Sequence, residues 1–272
     1  MSLLKVSNLG IRFGGLHAVK NLSFEIHEGE LIGLIGPNGA GKTTSFNMLT
    51  GVYTPSSGDI LFNGHRLNGL KPHLVSALGA ARTFQNIRLF KALSAIDNLT
   101  VAMNRERGYG LLAAFFQSSQ MRAREEAMRH EALSILKTLG LESYAHFKAG
   151  SLPYGIQRKL EIARALASKP KLLLLDEPAA GMNPTETAEL AKLICEIQKQ
   201  FHVTILLIEH DMSLVMKICQ RIYVLDYGEL IAQGTPDEIK ANPRVIEAYL
   251  GGAIGDPMGD PTGEKNSGEA PL

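Results

Sequence analysis

Net charge, cysteine and long apolar runs are all scarce in this 272-residue chain, and each scarcity removes a class of protein. Lys plus Arg number 28 against 27 Asp plus Glu, a formal charge of +1. No global field therefore draws the chain to nucleic acid or to an anionic membrane, and any membrane contact has to come through a partner. The two cysteines, Cys195 and Cys219, lack the close spacing of a zinc or redox motif and are expected to be reduced, packed thiols of a cytosolic protein. The longest apolar stretches, such as Leu111 to Phe116 and Leu172 to Leu175, fall far short of the roughly 20 residues of a spanning helix. Met1 to Ile11 lacks a basic region followed by an apolar one, so no secretion is expected. No internal repeat is visible. What is present is 45% hydrophobic and 20% charged residues, a globular composition that excludes a wholly disordered, collagen-like or disulfide-scaffold chain and suits one domain, or one with an insertion.

Segments rich in Val, Ile and Leu alternate with helix-length patterns, which points to an α/β fold around a parallel sheet. The clearest are Glu30 to Ile35, Lys171 to Asp176, Val203 to Glu209 and Arg221 to Asp226. A run such as Leu172–Leu175 suits a strand covered on both faces, although four residues would equally fit a buried helical turn. Leu4 to Leu9 and His17 to Ile26 read as strands of a smaller antiparallel layer. Charged helical patterns dominate from about residue 87 to 161, including Arg122 to Leu139 with Met128, Leu133, Ile135, Leu136 and Leu139 as its apolar positions. The expected organisation is a core of residues 1–86 and 162–250, an inserted helical subdomain over 87–161, and a tail over 251–272. The tail holds six Gly and three Pro and too few large apolar side chains to offset its ordering entropy.

Gly36-Pro37-Asn38-Gly39-Ala40-Gly41-Lys42-Thr43 fits the phosphate-loop pattern, after a predicted strand and before a predicted helix, Lys42 to Leu49. Each part has a chemical purpose. Glycines let backbone N–H groups converge on phosphate oxygens, the helix N-terminus adds a positive dipole end, Lys42 reaches the β and γ phosphates, and the Thr43 hydroxyl suits Mg²⁺. With Thr44, residues 36–44 form the expected nucleotide-binding set. A phosphate loop alone does not separate a kinase, a GTPase and a transporting ATPase. The second acidic element does so: Leu172 to Leu175 leads into Asp176-Glu177, where Asp176 can hold Mg²⁺ and Glu177 can position or deprotonate a water. An Asn-Lys-x-Asp guanine-recognition segment is absent.

From Leu3 to about Leu250 the chain resembles the ATP-binding cassette family. The resemblance implies a phosphate-loop NTPase (RecA-like) core with an antiparallel β subdomain and an inserted α-helical subdomain. It implies an adenine-stacking role for Phe13, in Arg12-Phe13-Gly14-Gly15. Gln85, in Thr83-Phe84-Gln85-Asn86, would approach Mg²⁺ and the attacking water, and His210, in Ile208-Glu209-His210-Asp211, would contact the γ-phosphate. With Lys42 and Glu177, Gln85 and His210 make the expected catalytic set; Thr43, Gln85 and Asp176 make the expected metal set.

Leu152-Pro153-Tyr154-Gly155-Ile156 resembles the family signature Leu-Ser-Gly-Gly-Gln but departs at Pro153, Tyr154 and Ile156. Asn183 stands where the family usually has Asp. Segments such as Phe13-Gly14-Gly15-Leu16, Arg82-Thr83-Phe84-Gln85, Leu160-Glu161-Ile162-Ala163-Arg164 and Glu177-Pro178-Ala179-Ala180-Gly181 are similar to those of the subfamily energising bacterial branched-chain amino acid import. Ile156 departs even from that subfamily, where Gln is usual.

The resemblance implies an ATPase on the cytoplasmic face of the inner membrane, working with two integral membrane permease subunits and, indirectly, a periplasmic binding protein. Two cassettes would clamp two ATP molecules, each between one phosphate loop and the opposite signature. Because Pro153 offers neither a side-chain donor nor an N–H, the expected partner is a different cassette. Permease engagement is expected beside Gln85, with Leu111 to Phe116 lining that groove or buried in the helical region. Urea or amide import, lipopolysaccharide export and a soluble ATPase acting on ribosomes or DNA are the alternatives. The last is disfavoured by the single short cassette and the balanced charge.

Overall fold

The computed structural model describes residues 2–103, 119–210 and 212–251. The chain opens with two long strands, β1 (Ser2–Phe13) and β2 (Leu16–His27), then β3 (Leu31–Ile35), α1 (Lys42–Leu49), β4 (Ser57–Phe62), β5 (His65–Arg66), α2 (Pro72–Ala77) and β6 (Ala80–Arg82). Three helices follow, α3 (Ala95–Met103), α4 (Ser119–Thr138) and α5 (Tyr154–Leu166). The remainder alternates as β7 (Leu172–Asp176), α6 (Pro184–Phe201), β8 (Thr204–Ile208), α7 (Met212–Ile218), β9 (Arg221–Asp226), β10 (Glu229–Gly234), α8 (Pro236–Ala241) and α9 (Pro243–Gly251). The run Leu111–Phe116, Asp211 and segment 252–272 lie outside the described residues.

Two sheets result. One is antiparallel, in the order β2-β1-β4-β5; the other has the order β10-β9-β3-β8-β7-β6, parallel except for β10 at its edge. Period-two alternation divides the larger sheet between two cores. Leu31, Ile35, Leu173, Leu175, Ile205 and Leu207 face one cluster, while Ile32, Leu34, Leu172, Leu174, Leu206 and Ile208 face the other. This two-sided burial explains why these strands read as unbroken apolar runs, and Leu172–Leu175 is strand, not helix. Each fully buried Leu or Ile contributes about 2 kcal/mol of transfer free energy.

The second cluster is closed by α1, through Phe46, Met48 and Leu49, and by the antiparallel sheet. The first is closed by helices, α3, α4 and α5 among them: Leu99, Leu136, Leu160 and Ile162 belong to the same cluster as Leu173 and Ile205. The Arg122 to Leu139 pattern is met by α4, with Ile135, Leu136 and Leu139 buried and Met128 and Leu133 half-buried. Among the described residues no helix is long and apolar enough to cross a membrane. Both cysteines are free; Cys195 lies half-buried in α6 and Cys219 is buried just beyond α7, and burial pushes both thiols up.

Asn183 has a local structural reason. It is the N-cap of α6, its Oδ1 accepting from the amides of Thr185 and Glu186 at 3.0 Å each, while Glu186 Oε2 accepts from the Asn183 amide at 2.9 Å. Pro184 follows at the first helical position, where its missing N–H is no loss. This reciprocal box works as well with Asn as with Asp. Replacing Asn183 with Ala is expected to cost about 1 kcal/mol of stability, read as a lower urea midpoint at unchanged slope.

Candidate functional site

Strand register assembles the site. Leu34 of β3 pairs with Ile208 of β8, and Ile208 pairs with Asp176 of β7. The three strands therefore end level, and the loops after them meet at one edge. In parallel α/β sheets that carboxyl edge is where ligands bind.

After β3 the chain turns through Gly36 to Gly41 and enters α1 at Lys42. Gly36 has φ 151°, and a Cβ there would lie 2.0 Å from the Leu225 carbonyl oxygen; at Gly41, φ 97°, it would meet the Ala18 carbonyl at 2.7 Å. Only glycine fits either place. Lys42 is folded over its own loop, its Nζ donating to the carbonyls of Gly36 at 2.6 Å and Pro37 at 2.8 Å. Burial pulls its amine below the usual lysine range, while Glu177 and Asp176 oppose that shift. The Thr43 side chain is exposed at the first turn of α1 and Thr44 is half-buried.

These residues line a cleft of about 630 Å³. Asn38, Gly39, Ala40, Gly41, Lys42, Thr43 and Thr44 form its floor, Phe13 and Leu16 flank one end, and Glu177 and Tyr227 also contribute. Phe13 is no core residue: it stands 45% exposed on the β1–β2 turn, edge-on to Tyr53 with centroids 5.3 Å apart.

Glu177 follows β7 with φ 45°, a left-handed conformation that costs energy for a non-glycine residue and is held by its N–H bond to the Ile208 carbonyl at 2.9 Å. Its Oε2 accepts from Gln85 Nε2 at 2.8 Å, and His210 Nδ1 lies 3.9 Å from the same oxygen. Gln85, Glu177 and His210 are thus brought together. Asp176, at the end of β7, is 5% exposed and ion-paired to Arg82 at 2.6 Å. Glu209, fully buried, accepts from the Ala179 amide at 2.8 Å, and desolvation raises its carboxyl. Among the described residues no group of three or more His, Cys, Asp or Glu could hold a metal ion by itself.

The signature residues stand away from this cleft, none of them lining it. Pro153 is the N-cap of α5 and Leu152 is buried. Ile156 is half-buried and packs on the core, so an apolar side chain suits its place. Tyr154 is 48% exposed, yet its phenol donates to the Ala180 carbonyl at 3.1 Å and its ring faces Gly181. Gly155 lies opposite Glu186, whose Oε1 would be 3.8 Å from an added Cβ.

Arg158, on the same helix, was assigned no role from sequence and proves central. With no solvent exposure, it donates to the carbonyls of Phe84 and Gln85 at 2.7 Å each, to Glu161 Oε2 at 2.8 Å and to the Tyr154 phenol at 3.3 Å. Glu161 in turn accepts from the Arg88 amide at 3.1 Å. The backbone carrying Gln85 therefore hangs from α5. The available signal was two opposite charges three residues apart among the buried positions Leu160, Ile162 and Ala163.

Residues 19–180 match the family described as ABC transporter. The chain belongs to this family. Residues 229–254 match a second family, branched-chain amino acid ATP-binding cassette transporter. That segment includes α9, whose Tyr249 has its phenol buried against the backbone of Gly36 in the phosphate loop and pushed up to about 12 by burial. The chain is 49% identical over 251 residues to the high-affinity branched-chain amino acid transport ATP-binding protein LivG of Salmonella typhimurium, covering 92% of this cassette and 98% of that protein. It is 32% identical to the lipopolysaccharide export system ATP-binding protein LptB of Escherichia coli, over 92% and 98% of the two chains. The solved ADP conformation of MJ1267, an ATP-binding cassette of an ABC transporter, superposes with TM-score 0.79 at 28% identity over 92% of this chain and 99% of that one. The cassette is thus an ATP-binding ATPase coupled to transport.

Arg158→Met strands Glu161 as a buried, unpaired charge and removes the donors holding Phe84 and Gln85, so a loss of about 3–5 kcal/mol in urea unfolding is expected. Adding Glu161→Leu should recover part of that loss.

Proposed function

We propose that this cassette energises uptake of branched-chain amino acids, seated on the cytoplasmic face of the inner membrane against two permease subunits. The observation that carries the reading is the 49% identity to LivG along nearly the whole of both chains, against 32% to LptB. The match of residues 229–254, which include the Tyr249 set beside Gly36 of the phosphate loop, supports it. Permease contact beside Gln85 is part of this reading.

The reaction is in-line attack of water on the γ-phosphate. Lys42 leaves the carbonyls of Gly36 and Pro37 for the β and γ phosphates, while the amides of residues 38–44 line the anion. Glu177 polarises the water, with Gln85 and His210 on the same carboxylate reporting the γ-phosphate to the rest of the chain. Phe13 carries the adenine. Thr43, Asp176 and Gln85 offer hydroxyl, carboxylate and amide oxygens, the hard donors that suit Mg²⁺. Bound there, the ion would neutralise charge on the phosphates.

In this reading two cassettes complete two sites, which is supported by the absence of residues 152–156 from the lining of this chain's own cleft. This chain would serve its partner's site poorly: Pro153 has no N–H, and the Tyr154 phenol is committed to Ala180 of its own chain. An unlike partner with an ordinary signature confines the defect to one site.

Glu177→Gln keeps size and hydrogen bonding but abolishes basicity, so ATP binding should persist while hydrolysis by the reconstituted transporter falls about 10²- to 10⁴-fold. The equivalent change in the partner should cost much less, and leucine uptake into vesicles should follow the first loss. Equal losses, or full activity of this chain as a homodimer, would overturn the asymmetry; intact hydrolysis would remove Glu177 as the principal base. Phe13→Ala is expected to weaken ATP binding a few-fold to about tenfold, with the maximal rate kept. Unchanged affinity in an equilibrium titration would show that the ring does not touch the base.

A further inference from the structure

Arg82 ends β6 three residues before Gln85, at the edge of the parallel sheet. Its side chain is only 8% exposed and reaches three segments of the chain. One terminal nitrogen donates to Asn47 Oδ1 at 2.7 Å and Thr50 Oγ1 at 3.2 Å, both at the end of α1; the other donates to Asp176 Oδ2 at 2.6 Å. The guanidinium carbon lies 5.5 Å from the Phe46 ring centroid and 5.1 Å from that of Phe84. Its Nε has no partner, so all its hydrogen bonding runs through the two terminal nitrogens.

A cation buried this way is not a solvated surface pair. Its flat fork is fixed by two aromatic rings, anchored on α1 at one end, and clamps a carboxylate that is itself 5% exposed at the other. The clamp is made through Oδ2, so it does not call on the other carboxylate oxygen. Lysine, with a single nitrogen, cannot span Asn47 and Asp176 in this manner. The three segments that Arg82 joins are the helix beginning with Lys42 and Thr43, the strand ending in Asp176, and the stretch leading to Gln85.

We propose that Arg82 is the positioning residue of the metal-facing carboxylate. It holds Asp176 in register with Thr43, so that metal-dependent nucleotide binding relies on it while the loop's own hold on phosphate does not. The proposal rests on the reading of Asp176 as a Mg²⁺ group. Two effects oppose each other: the nearby positive charge disfavours a second cation, and the fixed carboxylate favours it. Groups that orient a ligand from behind the first layer typically matter more than their charge alone suggests, and their loss raises metal requirement.

The test is titration of the purified full-length chain with a fluorescent ATP analogue, in EDTA and at rising Mg²⁺, for wild type, Arg82→Gln, Arg82→Lys and Asp176→Asn. Both Arg82 variants should bind the analogue as wild type does in EDTA and need about tenfold more Mg²⁺ for half-maximal enhancement of binding. Lysine should not rescue, because it keeps the charge and loses the fork. Affinity falling equally with and without Mg²⁺ would reduce Arg82 to a structural residue, and an unchanged or lower Mg²⁺ requirement would overturn the proposal by making charge the dominant effect. Asp176→Asn separates the two layers: if it leaves the Mg²⁺ dependence intact, the metal assignment itself fails. Should Arg82→Gln not fold, Asn47→Ala with Thr50→Val releases the far anchors but keeps the ion pair, and a smaller shift in the same direction is expected; no shift overturns the proposal.

Discussion

Level ending of the parallel strands is the constraint on which the rest of the molecule depends. Ile208 pairs with both Leu34 and Asp176, so the residues after β3, β7 and β8 leave the sheet at the same height. A one-residue slip would exchange the two core faces, moving Leu173 and Leu175 into the cluster now filled by Leu172 and Leu174. Because both faces are buried, the penalty falls on every strand at once. Hydrophobic packing therefore fixes how far apart Lys42, Glu177 and His210 stand, although none of the three belongs to the core.

Packing sets the height of the loops, but charge sets their direction. Gln85 has no regular structure to hold it, and its backbone is carried by Arg158, which is paired to Glu161 inside α5. The carboxylate of Asp176, whose backbone the strand holds, is in turn paired to Arg82. Buried pairs of this kind add little net stability over apolar side chains of the same size, since desolvation offsets their attraction. What they supply is geometry: a guanidinium offers several donors in a plane and can tie segments from different parts of the chain at fixed angles. Both arginines reach across more than seventy residues, to Phe84 and Asp176 respectively.

That distance explains what the sequence made legible. The phosphate loop was readable because its demands are local: Gly36 and Gly41 have no room for a Cβ, and Lys42 follows at fixed spacing. The parallel strands were readable from period and composition, with ends misplaced by about one residue at Leu31 and Thr204, as fraying of a hydrogen-bond ladder makes usual. Arg82, within the motif Arg82-Thr83-Phe84-Gln85, is silent because its partner Asp176 lies in a distant segment; Arg158 leaves only its spacing from Glu161, which does not tell that it holds the backbone of Phe84 and Gln85. Asn183 looked like a lost acid and is a helix cap, and Ile156 looked like a lost amide and packs on the core.

Tyr154 joins these layers. Its phenol bonds Arg158 on one side and Ala180 on the other, so the helix bearing the signature, the backbone of Gln85 and the segment after Glu177 share one hydrogen-bonded chain. Ala180 in turn donates its amide to the Glu177 carbonyl at 3.2 Å, and Gln85 bonds the Glu177 carboxylate, which closes the circuit. A glycine in place of Tyr154 would leave that circuit open between α5 and Ala180. The tyrosine thus ties the helix bearing the signature to Ala180 within one chain, and two side chains, Arg158 and Tyr154, link the Gln85 backbone to that segment directly.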